Sequence, residues 1–372
     1  MGNGCAVEEL VSSAIWSGKR VLVTGHTGFK GAWLALWLRE MGAEVTGLAL
    51  PAEETSLFRQ ARVDQLVTHV EGDIRDLSTV ERVVQQARPE VVFHLAAQPL
   101  VRLSYDQPVE TFATNVQGTA HVLDACRRAE GLKAIVCVTS DKCYENREWV
   151  WPYRETDPMG GHDPYSASKG AAELVAASYR NSFFSGEGTA LLASARAGNV
   201  IGGGDWAADR LIPDIVRALT DGRDVDIRSP GSVRPWQHVL DALGGYVLLA
   251  GNMLTSGDRK FAEGWNFGPA DNDARPVGWI VERMLQMWGQ VDRAGGWRRD
   301  LAPQVHEAHL LRLDCSKARA GLGWRPAWQL ETALEKIVLW HQAVDRGEDA
   351  RNVSLGQLAE FRTAYAAALK ST

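Results

Sequence analysis

The sequence predicts a doubly wound α/β fold, a parallel sheet with helices on both faces, and three observations predict it. Short apolar, β-branched runs recur through the first 195 residues and alternate with helix-patterned segments, as βαβ units do. The first run, Arg20-Val21-Leu22-Val23-Thr24, meets the glycine-spaced turn Gly25-His-Thr-Gly28-Phe-Lys-Gly31 and then an apolar helical pattern through Trp33, Leu34, Leu36, Trp37 and Leu38. A later run, Ala134 to Val138, delivers Thr139-Ser140-Asp141-Lys142 to the end of a buried strand, and Tyr165-Ser-Ala-Ser-Lys169 then opens an Ala-rich helical pattern. In open α/β sheets, ligands bind at the carboxyl ends of the strands.

Composition sets limits on function. A chain of 372 residues holds one large or two modest domains with ample core. The net charge is −6, and no Lys/Arg cluster is interleaved with aromatics, which argues against nucleic acid as a partner while leaving local arginines free to hold a small anion. The five cysteines (Cys5, Cys126, Cys137, Cys143, Cys315) are odd in number and mostly in apolar contexts, which reads as reduced core thiols and no metal site. The start lacks the layout of a secretion signal and no apolar run approaches about 18 residues, so the expectation is a soluble cytoplasmic protein with no membrane partner.

Residues 1 to about 17 read as a lead-in, with a helical turn at Val11 to Trp16. The G-x-x-G-x-x-G turn that follows the first strand puts bare amides at a helix N-terminus, where a pyrophosphate binds. The second strand, Glu44 to Leu50, lacks the terminal acid that a dinucleotide fingerprint places on the ribose, and Arg59 is near enough to serve a phosphate, so NAD and NADP both stay open. Val67 to Val70 leads into Gly72-Asp73-Ile74-Arg75-Asp76, where Asp73 is either a partner for the adenine amino group or the N-cap of a helix starting near Leu77. Val91 to Leu95 is the fourth strand; the small residues Ala96-Ala97 beyond it admit a flat ring or a sugar, and His94 is either a ligand contact or a satisfied core histidine. Pro108 to Ala129 reads as one long helix carrying Asn115.

Tyr165 and Lys169 are four residues apart and share a helical face. A cation there favours the phenolate of a side chain that ordinarily titrates at about 10, which predicts that Tyr165 is a base near neutrality. After a strand at Ala190 to Ala195, the glycine-rich stretch Arg196 to Trp206 has the texture of a loop that serves a site. Arg234-Pro-Trp236-Gln237-His238 precedes an apolar helix at Leu240 to Met253, and Trp265 to Pro269 reads as strand and turn. The predicted division is a Rossmann nucleotide-binding domain at 18–195, rejoined by about 235–255; a smaller α/β substrate domain from 196–234 and 256–345; and a tail helix in 346–372.

Together, Gly25-x-x-Gly28-x-x-Gly31, His94-Leu-Ala-Ala97, Thr139-Ser-Asp-Lys142 and Tyr165-x-x-x-Lys169 resemble the extended short-chain dehydrogenase/reductase family of nucleotide-sugar enzymes. The wording of the glycine turn, of Ser140-Asp-Lys-Cys-Tyr144, of Arg196-Ala-Gly-Asn-Val-Ile-Gly202 and of Arg234 to His238 is similar to that of its sugar 4,6-dehydratases, over about residues 18 to 345. The resemblance implies NAD, held by Gly25, Thr27, Gly28, Phe29, Lys30, Gly31, Asp73, Ile74, Leu95, Ala96, Ala97, Gln98, Asn115, Tyr165 and Lys169. It implies CDP-glucose as substrate, held by Gln98, Ser140, Asn199, Arg210, Leu211, Arg234 and Asn266, with Arg234 on the diphosphate or else in a surface ion pair.

The implied chemistry begins when Tyr165 removes the 4-hydroxyl proton as hydride passes to NAD, with Ser140 on the same oxygen and Lys169 on the nicotinamide ribose. The new ketone acidifies C5, Asp141 protonates the departing 6-hydroxyl, Lys142 takes the C5 proton, and the hydride returns to C6. Related dehydratases carry a glutamate where Lys142 stands, so Lys142 is either the C5 base or an electrophile on the ketone. A 4-epimerase or dehydrogenase would use the same Tyr/Lys pair without needing Asp141 and Lys142, and a nucleotide sensor would need none of them. The resemblance also implies a homodimer, or a dimer of dimers, with its seam at Pro108 to Ala129 and Gly170 to Asn181.

Overall fold

The computed structural model describes residues 13–289, 296–300 and 310–370. Cys5 and the first two residues of the expected helical turn, Val11 and Ser12, lie outside them; the remainder of that turn is α1 (Ser13–Trp16), with Trp16 buried.

From there β1 (Arg20–Thr24), α2 (Phe29–Glu40), β2 (Glu44–Ala49), α3 (Leu57–Gln60), β3 (Thr68–Glu71), α4 (Leu77–Ala87) and β4 (Val91–His94) alternate as expected. Next come α5 (Val101–Asp106), α6 (Pro108–Phe112), α7 (Gly118–Cys126), β5 (Ala134–Val138), α8 (Pro164–Ser182) and β6 (Leu191–Arg196). Beyond β6 the elements shorten: β7 (Val200–Ile201), α9 (Leu211–Thr220), β8 (Val225–Ile227), β9 (Val233–Pro235) and β10 (Gln237–His238) precede the long α10 (Val239–Ser256). The described chain closes with β11 (Gly264–Asn266), β12 (Ala274–Pro276), α11 (Val277–Trp288), β13 (Trp297–Arg299), α12 (Ser316–Leu322), α13 (Leu330–Asp345) and α14 (Ala350–Lys370).

Seven strands form one sheet in the order β11-β6-β5-β4-β1-β2-β3, every neighbouring pair parallel. Successive side chains on a strand point to opposite faces. Val21, Val23, Val91, Phe93 and Val136 accordingly join one core with α2 and α10, while Leu22, Val92, Ile135 and Leu192 join another with Val80, Val84, Val122 and Leu123 of α4 and α7. Cover on both faces is why these strands read as unbroken apolar runs. A third, smaller core gathers Ile212, Ile215 and Leu219 of α9, Ile280 and Met284 of α11, and Leu334 and Ile337 of α13.

Some expectations change. The segment expected as a single helix from Pro108 is interrupted by a π-turn at Ala113–Gln117, centred on Asn115, and ends at Cys126. The expectation that no apolar run approaches 18 residues is also corrected: α10 has that length and a mean hydropathy of 1.2, with 78% of it buried inside the protein. It is a core helix, packed against β5 and α2. The segment expected as a tail carries α14, which is a structural cover for the first half of the chain. Phe361 and Tyr365 set their rings edge-on to Trp37 of α2, with centroids 5.6 and 6.5 Å apart.

Candidate active site

β1 and β4 lie side by side, yet the chain leaves them for opposite ends of the sheet, so a crevice opens at their carboxyl ends. The two backbones nearly touch there. Gly25 has φ +75°, and a Cβ on it would sit 2.7 Å from the Ala96 amide, so only glycine serves. The turn then enters α2, whose N-cap, Gly28, supplies no side-chain hydrogen bond. The first amides of α2 face the cleft with their dipole, and a Cβ on Gly28 would meet only the Gly25 carbonyl, at 3.4 Å. This end of the cleft fits the pyrophosphate of a dinucleotide.

The cleft has a volume of about 1270 Å³. Its wall brings together Gly25, Thr27, Gly28, Phe29, Lys30, Gly31, Asp73, Ile74, Leu95, Ala96, Ala97, Gln98, Ser140, Asp141, Lys142, Tyr165, Lys169, Asn199, Arg210, Leu211 and Arg234. A smaller cavity of about 600 Å³ opens at the opposite, N-terminal edge of β1, β2 and β3 and contains none of them.

Other expected residues lie elsewhere. Asn266 is off the wall: fully buried, it accepts from the Tyr144 hydroxyl at 2.7 Å and donates to the Tyr153 and Asp314 carbonyls, so it ties loops together. Asn115 is off the wall as well. Its amide holds the Gln98 backbone from both sides, at 2.8 and 3.1 Å, and donates to Ser168 Oγ at 2.8 Å, so it joins the cleft wall to α8. Arg59 is not in the wall. His94 is a core histidine, bonded to Thr24 Oγ1 at 2.7 Å and Thr119 Oγ1 at 3.0 Å. Asp73 faces the cleft but spends its carboxylate on Arg75, and the cap of α4 is Asp76, which accepts from the Ser78 amide at 3.0 Å.

α8 is set by its N-terminus: Pro164 takes the first position, and Asp163 caps the helix by accepting from the Ser166 amide at 2.9 Å. Tyr165 and Lys169 follow on one face, with the ammonium 6.0 Å from the phenol ring centroid. The expectation of a base near neutrality is not met. Burial pushes the Tyr165 phenol up to about 12, with the Ser140 hydroxyl opposing it, and burial pushes Lys169 down to about 8. Both groups are moved toward their neutral forms because water is excluded from both. Lys30 is likewise brought down to about 7, by burial first and then by the Arg210 and Lys169 cations.

Ser140 caps the short turn Asp141–Cys143, accepting from the Lys142 amide at 3.2 Å and donating to Asp141 Oδ1 at 2.9 Å. Asp141 is buried beneath Gly198, whose bare α-carbon is what admits the carboxyl. At the mouth, Arg210 pairs with Asp205 at 3.1 Å, and Arg102 pairs with Asp209 at 3.2 Å. Arg102, Arg228 and Gly198 were not singled out from sequence; Gly198 at least lay within the glycine-rich stretch that signalled a site.

Residues 22–337 match the family described as GDP-mannose 4,6 dehydratase. The chain belongs to that family. It is 54% identical over 363 residues, 95% of this chain and 99% of the relative, to a CDP-glucose 4,6-dehydratase of Salmonella typhimurium. It is 29% identical, over 87% of this chain and 92% of the relative, to a dTDP-glucose 4,6-dehydratase of Streptomyces antibioticus. Among solved structures, the dTDP-glucose 4,6-dehydratase DesIV of Streptomyces venezuelae, crystallised with NAD and TYD, superposes with a TM-score of 0.75 at 25% identity, covering 89% of this chain and 99% of that one. Family membership agrees with the nucleotide-sugar resemblance read from the motifs.

Replacing Gly198 with alanine puts a Cβ 1.8 Å from Asp141 Oδ2, so the carboxyl must leave its place. Gly198→Ala is expected to lower turnover by about 100-fold, in line with the cost of misplacing a reacting group by an ångström. Nucleotide affinity, measured by calorimetry, is expected to stay within a few-fold of the parent protein's.

Proposed function

We propose that this chain is an NAD-dependent CDP-glucose 4,6-dehydratase, a hydro-lyase that converts CDP-glucose to CDP-4-keto-6-deoxyglucose. The observation that carries the reading is Asp141 and Lys142 in the same cleft wall as Tyr165 and Lys169. An epimerase or a dehydrogenase needs only the second pair. The 54% identity to a CDP-glucose 4,6-dehydratase supports the nucleobase assignment.

Bound NAD, held by the glycine turn and Lys169, would supply the hydride acceptor for C4 and the hydride donor for C6. The chain's own residues do the proton work. Tyr165 takes the proton of the 4-hydroxyl, Ser140 hydrogen-bonds the same oxygen, and Lys169 supplies the positive charge that makes a buried phenol an acceptor at all. Once C4 is a ketone, the C5 proton is acidic. Lys142 removes it while Asp141 protonates the departing 6-hydroxyl, and water leaves from C5 and C6. Gly25, Gly28 and the N-terminus of α2 hold the pyrophosphate of the cofactor, while Arg234 serves the substrate diphosphate, Asn199 a phosphate or sugar oxygen, and Arg210 and Leu211 the base pocket.

The proposed working form is a cytoplasmic homodimer, built from a nucleotide-binding part (18–195 with about 235–255) and a substrate part (196–234 and 256–345). Free, buried thiols at Cys126, Cys137, Cys143 and Cys315 support a reducing compartment. Support for the dimer is an apolar surface on the expected seam: Val109 and Phe112 on α6, and Leu174 on α8, are all exposed, Val109 to 72% and Leu174 to 63%.

Purified protein given CDP-glucose in deuterated water is expected to yield a 4-keto-6-deoxy sugar with deuterium at C5 and no added reductant; a C4 epimer as sole product would sink the dehydratase. The pH profile of kcat/KM is expected to have an alkaline limb near pH 8, where the depressed Lys169 loses its proton and the phenol its cation. Lys169→Met is expected to abolish that limb along with most activity. Leu174→Glu places a charge in the seam, and sedimentation velocity is expected to report a shift from dimer to monomer with the folded signal intact.

A further inference from the structure

Tyr165 and Lys169 continue, one turn along α8, into a third residue on the same face, Glu173, which has no part in the proton transfers yet is only 4% exposed. Its carboxylate is fully engaged. It accepts from Thr139 Oγ1 at 2.5 Å, Ser194 Oγ at 2.7 Å and Arg196 Nη2 at 2.8 Å. Arg196, 5% exposed at the end of β6, reaches on through Nη1 to the Tyr144 hydroxyl at 2.7 Å and the Glu155 carbonyl at 3.1 Å, with its guanidinium 5.1 Å from the centre of the Tyr144 ring. Gly264 makes room for it: a Cβ there would meet Arg196 Nη2 at 2.5 Å.

The placement of these partners is specific. Thr139 immediately precedes Ser140-Asp141-Lys142, and Tyr144 follows them one residue after Cys143, so both ends of the turn are tied to one buried ion pair. A buried pair is weak as a source of stability, because desolvating two charges offsets their attraction. Burial raises Glu173, but Arg196 and the three hydrogen bonds hold it below the usual glutamate range, so it remains a carboxylate.

We propose that Glu173 and Arg196 are positioning residues for the elimination half of the reaction, clamping the Ser140-Asp141-Lys142 turn from both ends so that Asp141 and Lys142 meet C5 and C6 of the sugar. This rests on the dehydratase reading above. Tyr165 and Lys169 are carried by the backbone of α8, so they keep their place when the clamp is cut. Ser140, Asp141 and Lys142 are carried by the turn, so they do not. Loosening the clamp therefore weighs unequally on the two halves of the chemistry: oxidation at C4 loses one hydrogen bond from Ser140 and slows modestly, while elimination loses the placement of both of its proton-carrying groups and slows far more.

Thr139→Val cuts the tie at nearly constant volume, and Thr139→Ser keeps it. In single turnovers with NAD and CDP-glucose followed at 340 nm, Thr139→Val is expected to oxidise the sugar within about tenfold of the parent rate, the cost of one weakened hydrogen bond from Ser140. It is expected to eliminate water about 100-fold more slowly, so that reduced cofactor accumulates on the enzyme. Thr139→Ser is expected to restore the parent course. Glu173→Gln, if it folds, is expected to show the same split, with the alkaline limb at Lys169 moved to lower pH because the Glu173 charge that favours the ammonium is gone. Thr139→Val slowing both phases equally, or neither, overturns the proposal. Failure of the parent protein to turn over CDP-glucose would count against the activity alone. The clamp would then be read from crystals of Thr139→Val, where an Asp141 carboxyl displaced by about an ångström or more supports it and an unmoved one overturns it.

Discussion

Everything in the cleft depends on how closely two backbones approach where β1 and β4 end. The Gly25 α-carbon lies so near the Ala96 amide that no side chain fits between them. That contact fixes where the glycine turn stands relative to Ala96-Ala97-Gln98, and so where the first turn of α2 aims its amides. The approach is possible because β1 and β4 are hydrogen-bonded neighbours in register, Thr24 beside His94, with Thr24 and Thr119 satisfying the histidine between them. The histidine that the sequence left open between ligand contact and core residue is part of the frame that holds the two strand ends together.

Low water access is the second condition, and it acts on Lys30, Tyr165 and Lys169 in the same sense. Lys30 and Lys169 are driven toward the free amine and Tyr165 toward the phenol, each primarily by burial. A site that must move protons without bulk water benefits from groups near their neutral forms, since small changes in charge on a bound ligand then decide which of them holds a proton. The same dryness strengthens the attraction between the cleft cations and an anionic ligand.

The sheet was legible because its signals are local: the two faces of each strand alternate between cores, and both are apolar. Tyr165 and Lys169 were legible for a similar reason, since a four-residue spacing on a helix sets a shared face without reference to anything distant. Asn115 and Asn266 were not. Each was placed on a ligand by resemblance, but whether such a side chain turns toward the ligand or back into the scaffold is decided by partners far away in sequence, Gln98 and Ser168 for one, Tyr144 and Asp314 for the other. The phenol went astray for a related reason. A neighbouring lysine can be read from the sequence, whereas the degree of dehydration around the pair depends on the whole fold.

The packing of α14 against α2 has a consequence for how the chain can be divided. Trp37 and the rings of Phe361 and Tyr365 that cover it lie far apart in the sequence. Cutting α14 away would therefore bare a large indole on the far side of the sheet's helical cover, and the two distant stretches are stable only in each other's company.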